Sequence, residues 1–356
     1  MSHTTLRRRL LAGAALLMAP ALVLGTPHVA DAAETRNRAD AGGGWLGRQL
    51  DKDSHVVTGQ FGPVYGQTAD VVLALAAAGV GKRKALRATR ALKANVLDYT
   101  GGGDPSEYYA GPFAKLLVVA AARGMDARSF GGSTRSDLVA ELEALECKPG
   151  IEGCEAAEKG RFSDISQFGD FSSVISQSLA VLGLERTTRR GASRTSVSYL
   201  LAQQCSNGAF PQDLGTDGCT GSVDATGFAV QALVAVDTPA ARAAAADAGR
   251  WLVRRQKGNG SFVADGVRNA NSTALAAQAL DALGRDRRRA KAVRFLRSLQ
   301  ATCSGPAALR GSLRYSKAST GDRLLATGQA VPALAGATLV DVTNAGATRS
   351  LPRYAC

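Results

Sequence analysis

The chain is built from a repeated sequence unit. The stretch from Tyr199 to Leu233 has a similar copy from Trp251 to Leu280. The first reads YLLAQQCSNGAF…SVDATGFAVQAL and the second WLVRRQKGNGSF…NANSTALAAQAL. Each copy has an aromatic-led helical stretch that ends in Gln, a Gly-x-Phe turn, a polar segment and an Ala/Leu-rich helix. A period of about 50 residues predicts stacked helical hairpins, because a single hairpin cannot bury its apolar face alone.

Weaker copies fill most of the remaining chain and bring the number of hairpins to six. The first helix of each unit is amphipathic, as in DLVAELEALE and KAVRFLRSLQ, whereas the second is rich in Ala, Leu and Val and nearly free of charge. In the first unit the alignment places the turn at Gly59-Gln60-Phe61. Half-exposed outer helices that alternate with buried inner helices predict an all-α fold, a closed (α/α)6 toroid of six helical hairpins over residues 44–356.

The N-terminus carries the pattern of a secretory signal peptide over residues 1–32. Arg7-Arg8-Arg9 precedes an apolar run from Leu10 to Gly25, and Ala30-Asp31-Ala32 fits a small-x-small cleavage site. The apolar run is shorter than the roughly 20 residues of a membrane-spanning helix, so it predicts export without a transmembrane anchor. We expect residues 33–43 to be a flexible segment before the toroid, and the mature protein to be extracellular or associated with the cell wall.

Six cysteines in an exported protein predict three disulfides that staple the toroid. Proximity favours Cys147–Cys154 and Cys205–Cys219, which leaves Cys303–Cys356 to tie the C-terminal tail back to the last repeat. His55 is the only histidine after residue 32. With the thiols oxidised, no Cys/His zinc site of the usual composition can form, and we expect neither a metal nor a cofactor.

Positive and negative charges are segregated along a chain whose formal net charge is +13. The basic clusters Lys82-Arg83-Lys84, Arg186–Arg190 and Arg285–Arg289 follow inner helices, whereas acids such as Asp213 and Asp265 lie in loops that lead into them. Because all inner helices of a toroid point the same way, we expect one basic rim and a more acidic mouth opposite. The rim suits an anionic cell-wall polymer, whereas dispersed bases with few aromatics argue against nucleic acid.

Polar residues recur at one aligned position near the start of the inner helices. They are Asp170, Asp224 and Asn271 in the third, fourth and fifth units. Asp and Asn are among the residues that satisfy the free amides at a helix N-terminus. The recurrence therefore predicts helix capping at this position.

The unit aromatic-Leu…Gln…Gly-x-Phe…Asp-x-Thr…Ala-Leu resembles the prenyltransferase and squalene-cyclase repeat of terpenoid-cyclase-like toroids, from Trp45 to about Leu339. With its signal, the chain is similar to secreted actinobacterial proteins that carry this repeat. The toroid is also similar to the helical domain of transcobalamin-type corrinoid carriers. The resemblance implies the fold, but fold analogy does not determine chemistry.

Asp224 is the one weak candidate for catalysis. Class II terpene cyclases carry Asp-x-Asp-Asp-Thr-Ala, whose middle Asp protonates an alkene, and residues 222–227 (SVDATG) match only that acid and the Thr. Prenyltransferases and lanthionine cyclases of this fold need zinc held by Cys and His, which this chain cannot supply. A glycan-active enzyme that uses Asp164, Asp170, Asp213 and Asp224 remains an alternative.

These observations favour a secreted, non-catalytic protein that binds a ligand or partner at the mouth. A corrinoid or another amphipathic small molecule is expected first, and an envelope polymer or partner protein next. The alternative is an extracellular enzyme, cyclase-like or glycan-active, that uses the mouth carboxylates. Aromatic and polar residues at the inner-helix starts are expected to form this concave site: Tyr65, Gln67, Tyr108, Tyr109, Phe168, Asp170, Phe171, Asp224, Asn271 and Tyr315.

Overall fold

A computed structural model describes residues 33–132, 134–148, 150, 154–215, 218–321 and 323–356. The predicted signal peptide lies outside these residues. The helices are α1 Arg38–Gln49, α2 Tyr65–Ala78, α3 Lys82–Ala94, α4 Val96–Gly101, α5 Ala110–Arg123, α6 Leu138–Ala144, α7 Val174–Thr187, α8 Arg194–Ala202, α9 Val223–Val236, α10 Pro239–Arg255, α11 Ala270–Ala282, α12 Asp286–Leu299 and α13 Leu324–Ala335. The strands are β1 Glu34–Thr35, β2 Thr58–Gly59, β3 Gly62–Pro63, β4 Phe210–Pro211, β5 Gly221–Ser222, β6 Phe262–Ala264, β7 Val267–Asn269 and β8 Arg353–Tyr354.

Six helices form a closed inner ring. α2 packs against α5, and the neighbours continue through α7, α9, α11 and α13 back to α2. The outer helices pack on this ring: α1 on α13 and α2, α3 on α2, α6 on α5 and α7, α8 on α7, α10 on α9 and α11, and α12 on α11 and α13. The predicted all-α (α/α)6 toroid is confirmed.

The inner helices form the core because they are almost uncharged. In α5, for example, Leu116, Leu117, Val118 and Val119 are fully buried. Each such side chain contributes roughly 1.5–3 kcal/mol when it leaves water. Trp45 and Trp251, at the aromatic position of the outer helices, are also buried.

The Gly of the Gly-x-Phe turn lies against the outer helix of the next unit. Gly260 has a φ of +90°, and a Cβ there would lie 2.1 Å from the carbonyl oxygen of Lys291 in α12. Glycine adopts this backbone angle without strain, and its missing side chain permits the close approach. The equivalent contacts join Gly208 to Asp247 of α10 and Gly311 to Ala41 of α1. We call this contact between the turn of one unit and the outer helix of the next a joint. Since the last joint links the sixth unit to the first, the same contact also closes the ring.

The Gln of the repeat ties each joint through its side-chain amide. Gln256 Nε2 donates to the carbonyl oxygens of Gly260, at 3.3 Å, and of Arg288 in α12, at 2.9 Å. The equivalent bonds to the next outer helix run from Gln204 to Ala244 in α10 and from Gln300 to Arg38 in α1, both 2.8 Å. The Gln is therefore a structural link between units.

The Thr of the Asp-x-Thr motif holds the same turn from the inside. Thr273 Oγ1 accepts the backbone N–H of Phe262 at 3.0 Å. The equivalent bonds are Phe210 to Thr226 at 2.9 Å and Leu313 to Thr327 at 2.8 Å. In the third unit Gln177 takes this place, accepting the N–H of Phe162 at 2.9 Å. The Thr shared with the cyclase motif is explained by packing of the repeat.

The alignment of the first unit at Gly59-Gln60-Phe61 is wrong. Thr68 accepts the N–H of Val57 at 2.9 Å, so Val57 occupies the place of the Phe. His55, two residues earlier, takes the left-handed conformation of the Gly with a φ of +60°. Phe61 instead lies at the β2–β3 turn and is 96% exposed. The alignment failed because it relied on the residue types Gly and Phe, whereas a histidine can also adopt the required backbone angle.

Much of the segment 33–43, which the sequence predicts to be flexible, lies in regular secondary structure. β1 pairs in parallel with β8, and α1 begins at Arg38, capped by the Asn37 side chain. The segment is held because the C-terminal tail lies beside it. The three predicted disulfides, Cys147–Cys154, Cys205–Cys219 and Cys303–Cys356, are all formed.

The C-terminal tail, residues 337–356, crosses the C-terminal ends of the inner helices. Its amides donate to Gln231 Oε1 in α9 from Leu339 at 2.8 Å, to the Ala122 carbonyl in α5 from Asn344 at 2.9 Å, and to the Gly79 carbonyl after α2 from Thr348 at 2.9 Å. Arg186, at the end of α7, donates to the carbonyls of Leu339 and Val342 at 2.7 and 2.6 Å. Part of the predicted basic rim therefore binds the protein's own tail.

Candidate functional site

The mouth consists of the N-terminal ends of the inner helices and the loops that lead into them. Neighbouring loops are joined by backbone bonds, such as Val174 N–H to the Gln212 carbonyl and Ala270 N–H to the Tyr315 carbonyl. These bonds bring segments from distant parts of the sequence to one end of the ring.

Helix capping at Asp170, Asp224 and Asn271, as the alignment predicts, is wrong. The N-caps of α7, α9 and α11 are Ser173, Ser222 and Asn269, whose side chains accept the amides of Ser176, Ala225 and Ser272. Asp224 and Asn271 are instead the second residues of their helices. Because other residues already satisfy the helix ends, capping does not account for these two side chains.

Asp224 and Asn271 occupy equivalent positions in the neighbouring helices α9 and α11. The Oδ1 atoms of both are enclosed and have no hydrogen-bond partner within the described part of the chain. Burial raises the pKa of the Asp224 carboxyl; a hydrogen bond from the Ser272 hydroxyl to this carboxyl opposes the shift, and the Asp265 carboxylate adds to it. Burial also raises the pKa of Tyr315, together with the charges of Asp265 and Asp224. Tyr315 thus lies within electrostatic reach of Asp224.

A cleft of about 850 Å³ opens beside Asp224 between the fourth and fifth units. Its charged lining comprises Asp213, Asp224, Asp265, Arg255 and Lys257. Three carboxylates and two cations can hold a polar group in a defined orientation, and their charges nearly balance. The cleft is therefore suited to hydrogen bonding more than to capture of a strongly charged ligand.

An ion pair joins the neighbouring inner helices α2 and α5. Lys115 Nζ in α5 contacts Asp70 Oδ1 in α2 at 2.8 Å, with the two side chains 22% and 15% exposed. Burial disfavours the ammonium, but Asp70 and Tyr99 raise the pKa of Lys115 overall. A lysine held in its protonated form cannot act as a nucleophile. Burial raises the pKa of the adjacent Tyr99 to about 12, so the phenol stays neutral.

Several predicted site residues are engaged in loop structure. Tyr108 stacks under Arg135, whose Cζ lies 4.0 Å from the ring centre. Tyr109 donates to Glu107 at 2.9 Å. Asp170 pairs with Arg161 at 2.6 Å. The Tyr109 hydroxyl and the Asp170 carboxylate are therefore already paired, and the Tyr108 ring is covered by Arg135.

Tyr65 and Gln67 lie on the first unit, away from Asp224 in the ring. Tyr65 Oη is 3.4 Å from Asp98 Oδ2, and its ring lies 6.2 Å from that of Tyr99. Gln67 lines a separate cleft of about 470 Å³ beside Trp45. The predicted set therefore divides between two parts of the mouth, with Asp224, Asn271 and Tyr315 together on one side.

Phe168 and Phe171 are exposed on the loop before α7, at 69% and 66%. Ile165, in the same loop, is 56% exposed. Three large apolar side chains on one loop leave a surface that water solvates poorly. Packing of the loop does not account for them.

Charged residues outside the predicted set also shape the mouth. Asp70 is the single charged residue of α2, and Lys115 interrupts the apolar part of α5. A lone charge in an otherwise apolar helix was a signal that could have identified both. Arg255 and Lys257 lie at the end of an outer helix, where basic residues are common, and nothing in the sequence distinguishes them.

The described residues contain no group of three or more His, Cys, Asp or Glu side chains arranged to hold a metal ion. In the same part of the chain, no helix is both long and apolar enough to cross a membrane.

No protein-family model and no curated protein matches the sequence. Solved structures do match. A variant of the type II terpene cyclase MstE from Scytonema, in complex with its substrate geranylgeranyl dihydroxybenzoate, aligns with a TM-score of 0.60 and 16% identity over 84% of this chain and 96% of that one. A glycoside hydrolase structure, UGL with dGlcA-Glc-Rha-Glc, aligns with a TM-score of 0.55 and 12% identity, over 84% and 95% of the two chains.

The ent-copalyl diphosphate synthase from Streptomyces platensis aligns with a TM-score of 0.53 and 20% identity over 77% of this chain. The match spans 52% of the synthase, about half of its length. The chain therefore has the α/α toroid fold seen in terpene cyclases and in a glycosidase. At these identities the similarity concerns the fold alone.

Proposed function

We propose that the protein binds an amphipathic small molecule at the mouth without converting it. The observation that carries the proposal is the pair of enclosed, unpartnered acceptors, Oδ1 of Asp224 and Oδ1 of Asn271. Buried polar atoms in folded proteins are nearly always hydrogen-bonded, and leaving one unpaired costs roughly 1–3 kcal/mol. A ligand with hydroxyl or N–H donors would satisfy both atoms.

The apolar part of such a ligand would contact side chains outside the cleft that Asp224 lines. Phe168 and Phe171 project from the loop before α7, and Phe228 of α9 is only partly buried in a helix whose other residues are mostly enclosed. Apolar walls with a few fixed polar groups are the usual composition of a small-molecule site. This combination supports an amphipathic ligand over a purely ionic one.

The ligand we favour is an isoprenoid chain with a hydroxylated head. MstE, which has the same fold, holds geranylgeranyl dihydroxybenzoate, a molecule of this kind. A corrinoid, implied by the resemblance to transcobalamin-type carriers, remains a second candidate. Export to an oxidising compartment is part of the proposal, because three disulfides are stable there.

Thermal unfolding with a ligand panel tests the proposal. The panel contains a geranylgeranyl phenol, cobalamin and neutral oligosaccharides. A ligand at about 100 times its dissociation constant adds roughly 2.7 kcal/mol to the free energy of unfolding. We expect the isoprenoid to raise Tm, and the double variant Asp224→Leu/Asn271→Leu to lose this effect.

The control variant is Asp53→Asn, which changes an exposed carboxylate outside the site. It should keep the full ligand response. The proposal fails if no member of the panel raises Tm, or if the double variant responds like the wild type.

Acid catalysis by Asp224 is the second candidate, and its raised pKa favours it. A carboxyl group that keeps its proton closer to neutral pH can serve as a general acid. Gas chromatography with mass spectrometry of the recovered isoprenoid decides between the two functions. Unchanged ligand supports binding, whereas an isomer of equal mass and new retention time, absent with Asp224→Asn, would establish a cyclase.

A further inference from the structure

Two outer helices begin with an unfavourable arrangement of charge. α3 starts with Lys82-Arg83-Lys84, and α12 carries Arg287, Arg288 and Arg289 directly after Asp286. Neither helix has a side-chain N-cap bond. Since a helix N-terminus is partially positive, cations there are unfavourable by about 0.3–1 kcal/mol each. Each helix start would be stabilised by an acceptor or an anion.

At α3 the protein supplies the acceptors itself. The amides of Gly81 and Lys82 donate to the carbonyls of Ser350 and Thr348 in the C-terminal tail, both at 2.8 Å. At α12, the amides of Asp286 and Arg287 have no acceptor within the described residues. Of the two, α12 is the helix start without a partner in the described part of the chain.

The start of α12 forms one wall of a groove of about 820 Å³, and α10 forms the other. Five arginines line it, Arg250, Arg254, Arg285, Arg287 and Arg288, with Asp286 as the one acid. Arg250 pairs with Asp247, and Arg254 donates to the Asn207 carbonyl at 2.9 Å. The guanidinium groups of Arg285, Arg287 and Arg288 have no acceptor within the part of the chain that the structure describes.

The groove belongs to the most basic part of the chain. Between residues 250 and 297 there are twelve basic and three acidic residues, a net charge of +9 in a chain whose total is +13. A volume of about 820 Å³ exceeds what one phosphate group fills, so it suits a ligand with several anionic groups in a row. Arginine binds phosphate oxygens through two N–H groups at once, which favours phosphate over a diffuse counter-ion.

The lining distinguishes between classes of phosphate polymer. No Phe, Tyr or Trp side chain is among the residues that line the groove in the described structure. Proteins that bind single-stranded nucleic acid stack its bases on aromatic side chains, a contact worth roughly 1–3 kcal/mol per base. A polymer of polyol phosphates needs no such contact, because its repeating groups are the phosphodiester and hydroxyls.

We propose that the groove between α10 and α12 is a binding site for a linear polyol-phosphate polymer. Its phosphodiesters would be held by Arg285, Arg287 and Arg288, and one phosphate would accept the free amides at the start of α12. This site is separate from the mouth and does not depend on the ligand proposed there.

Binding of fluorescently labelled poly(glycerol phosphate) to the full protein tests the site. In Arg285→Gln/Arg287→Gln/Arg288→Gln we expect the dissociation constant to rise at least about tenfold. The slope of log Kd against log salt concentration should fall by about 2, as three phosphate contacts are lost. The matched control, Lys82→Gln/Arg83→Gln/Lys84→Gln, removes the same charge and should change Kd less than about twofold.

Equal losses in the two triple variants would show attraction to net charge alone and would overturn the site. Tighter binding of single-stranded DNA with the same number of phosphates would reassign the groove to nucleic acid. Absence of binding at low salt would also contradict the proposal. Tm measurements on both variants check that the fold is intact, which we expect because none of the six substituted side chains makes a hydrogen bond or ion pair within the described residues.

Discussion

The two ends of the inner ring differ in how their polar groups are paired. At the C-terminal ends of the helices, Gly79, Ala122 and Gln231 accept amides of the C-terminal tail. At the N-terminal ends, the Oδ1 atoms of Asp224 and Asn271 accept no hydrogen bond within the described residues. The C-terminal ends thus receive hydrogen bonds from the tail, whereas the two Oδ1 atoms at the N-terminal ends receive none from the described residues.

This difference separates stability from binding. Groups paired inside the protein contribute to folding, whereas enclosed groups left unpaired reduce stability and are retained where a ligand can pair them. The same side-chain type should therefore have opposite effects on stability at the two ends. The following experiments test this contrast from the largest expected effect to the smallest.

Removal of the tail disulfide should give the largest loss. Replacing Cys303 and Cys356 by Ser opens a loop of 53 residues, and the chain-entropy estimate predicts a cost of about 4 kcal/mol. The same change at Cys147 and Cys154, which close a loop of seven, should cost about 2 kcal/mol. Denaturant unfolding measures both, and an equal cost would show that the tail is not what the longer disulfide secures.

Gly311→Ala should weaken the joint between the last unit and the first. Its Cβ would lie 2.3 Å from the Ala41 carbonyl oxygen, and its φ is +96°. Backbone strain and overpacking together should cost at least about 3 kcal/mol. Gly266→Ala is the control, because it shares a positive φ but has nothing within 4 Å, and about 1 kcal/mol is expected. Similar losses in urea melts would refute the close approach as the cause.

Substitutions of two amide side chains in inner helices, Gln231 and Asn271, test the difference between the two ends directly. Gln231→Leu leaves the buried Leu339 N–H without an acceptor and should cost about 1–2 kcal/mol. Asn271→Leu removes an unpaired acceptor and should stabilise the empty protein by about 1 kcal/mol. In α13 the equivalent position already holds Leu325. Destabilisation by both changes would remove the distinction between the ends.

Asp224 and Asp170 should give opposite dependences on pH. Burial raises the pKa of Asp224 in the folded state, so stability falls as pH rises from the unfolded value near 3.8 through the folded one. Asp224→Asn should therefore be more stable than the wild type at pH 7, by about 1 kcal/mol or less, and should lose this advantage in acid.

Asp170 serves as the internal control. Burial works to raise its pKa, but the amides of Asp164 and Ser172 and the Arg161 guanidinium lower it overall. Its contribution is present above the unfolded pKa and is lost as pH falls through the folded one. Asp170→Asn should thus be destabilising by up to about 1 kcal/mol at neutral pH and nearly neutral in acid. Parallel pH profiles for the two variants would contradict the assignment.

The architecture was predictable because the repeat determines it. The period, the nearly uncharged inner helices and the even cysteine count predict the toroid and its three disulfides, all of which the structure contains. The joints were not predictable in full. His55 replaces a glycine and Gln177 replaces a threonine, and only the backbone angle and the hydrogen bonds show that these residues fill the same roles.

The candidate site was predicted in composition and not in arrangement. Asp224, Asn271 and Tyr315 lie on one side of the mouth, but Tyr108, Tyr109 and Asp170 are occupied by loop contacts. Capping was a reasonable expectation from residue type, yet it failed because Ser222 and Asn269, two residues earlier, perform it. Capping propensities alone cannot tell which of two polar residues, two positions apart, caps a helix.

The joint that links Gly311 and Gln300 to the first outer helix has a consequence for how the molecule loses its structure. An open array of repeats frays from its terminal units, since each of these has a single neighbour. In this ring every unit is held on both sides, and the last is bonded to the first as the others are to each other. No unit can detach by breaking one interface. Hydrogen exchange of the six inner helices should therefore converge on one common opening event, without a gradient from either terminus.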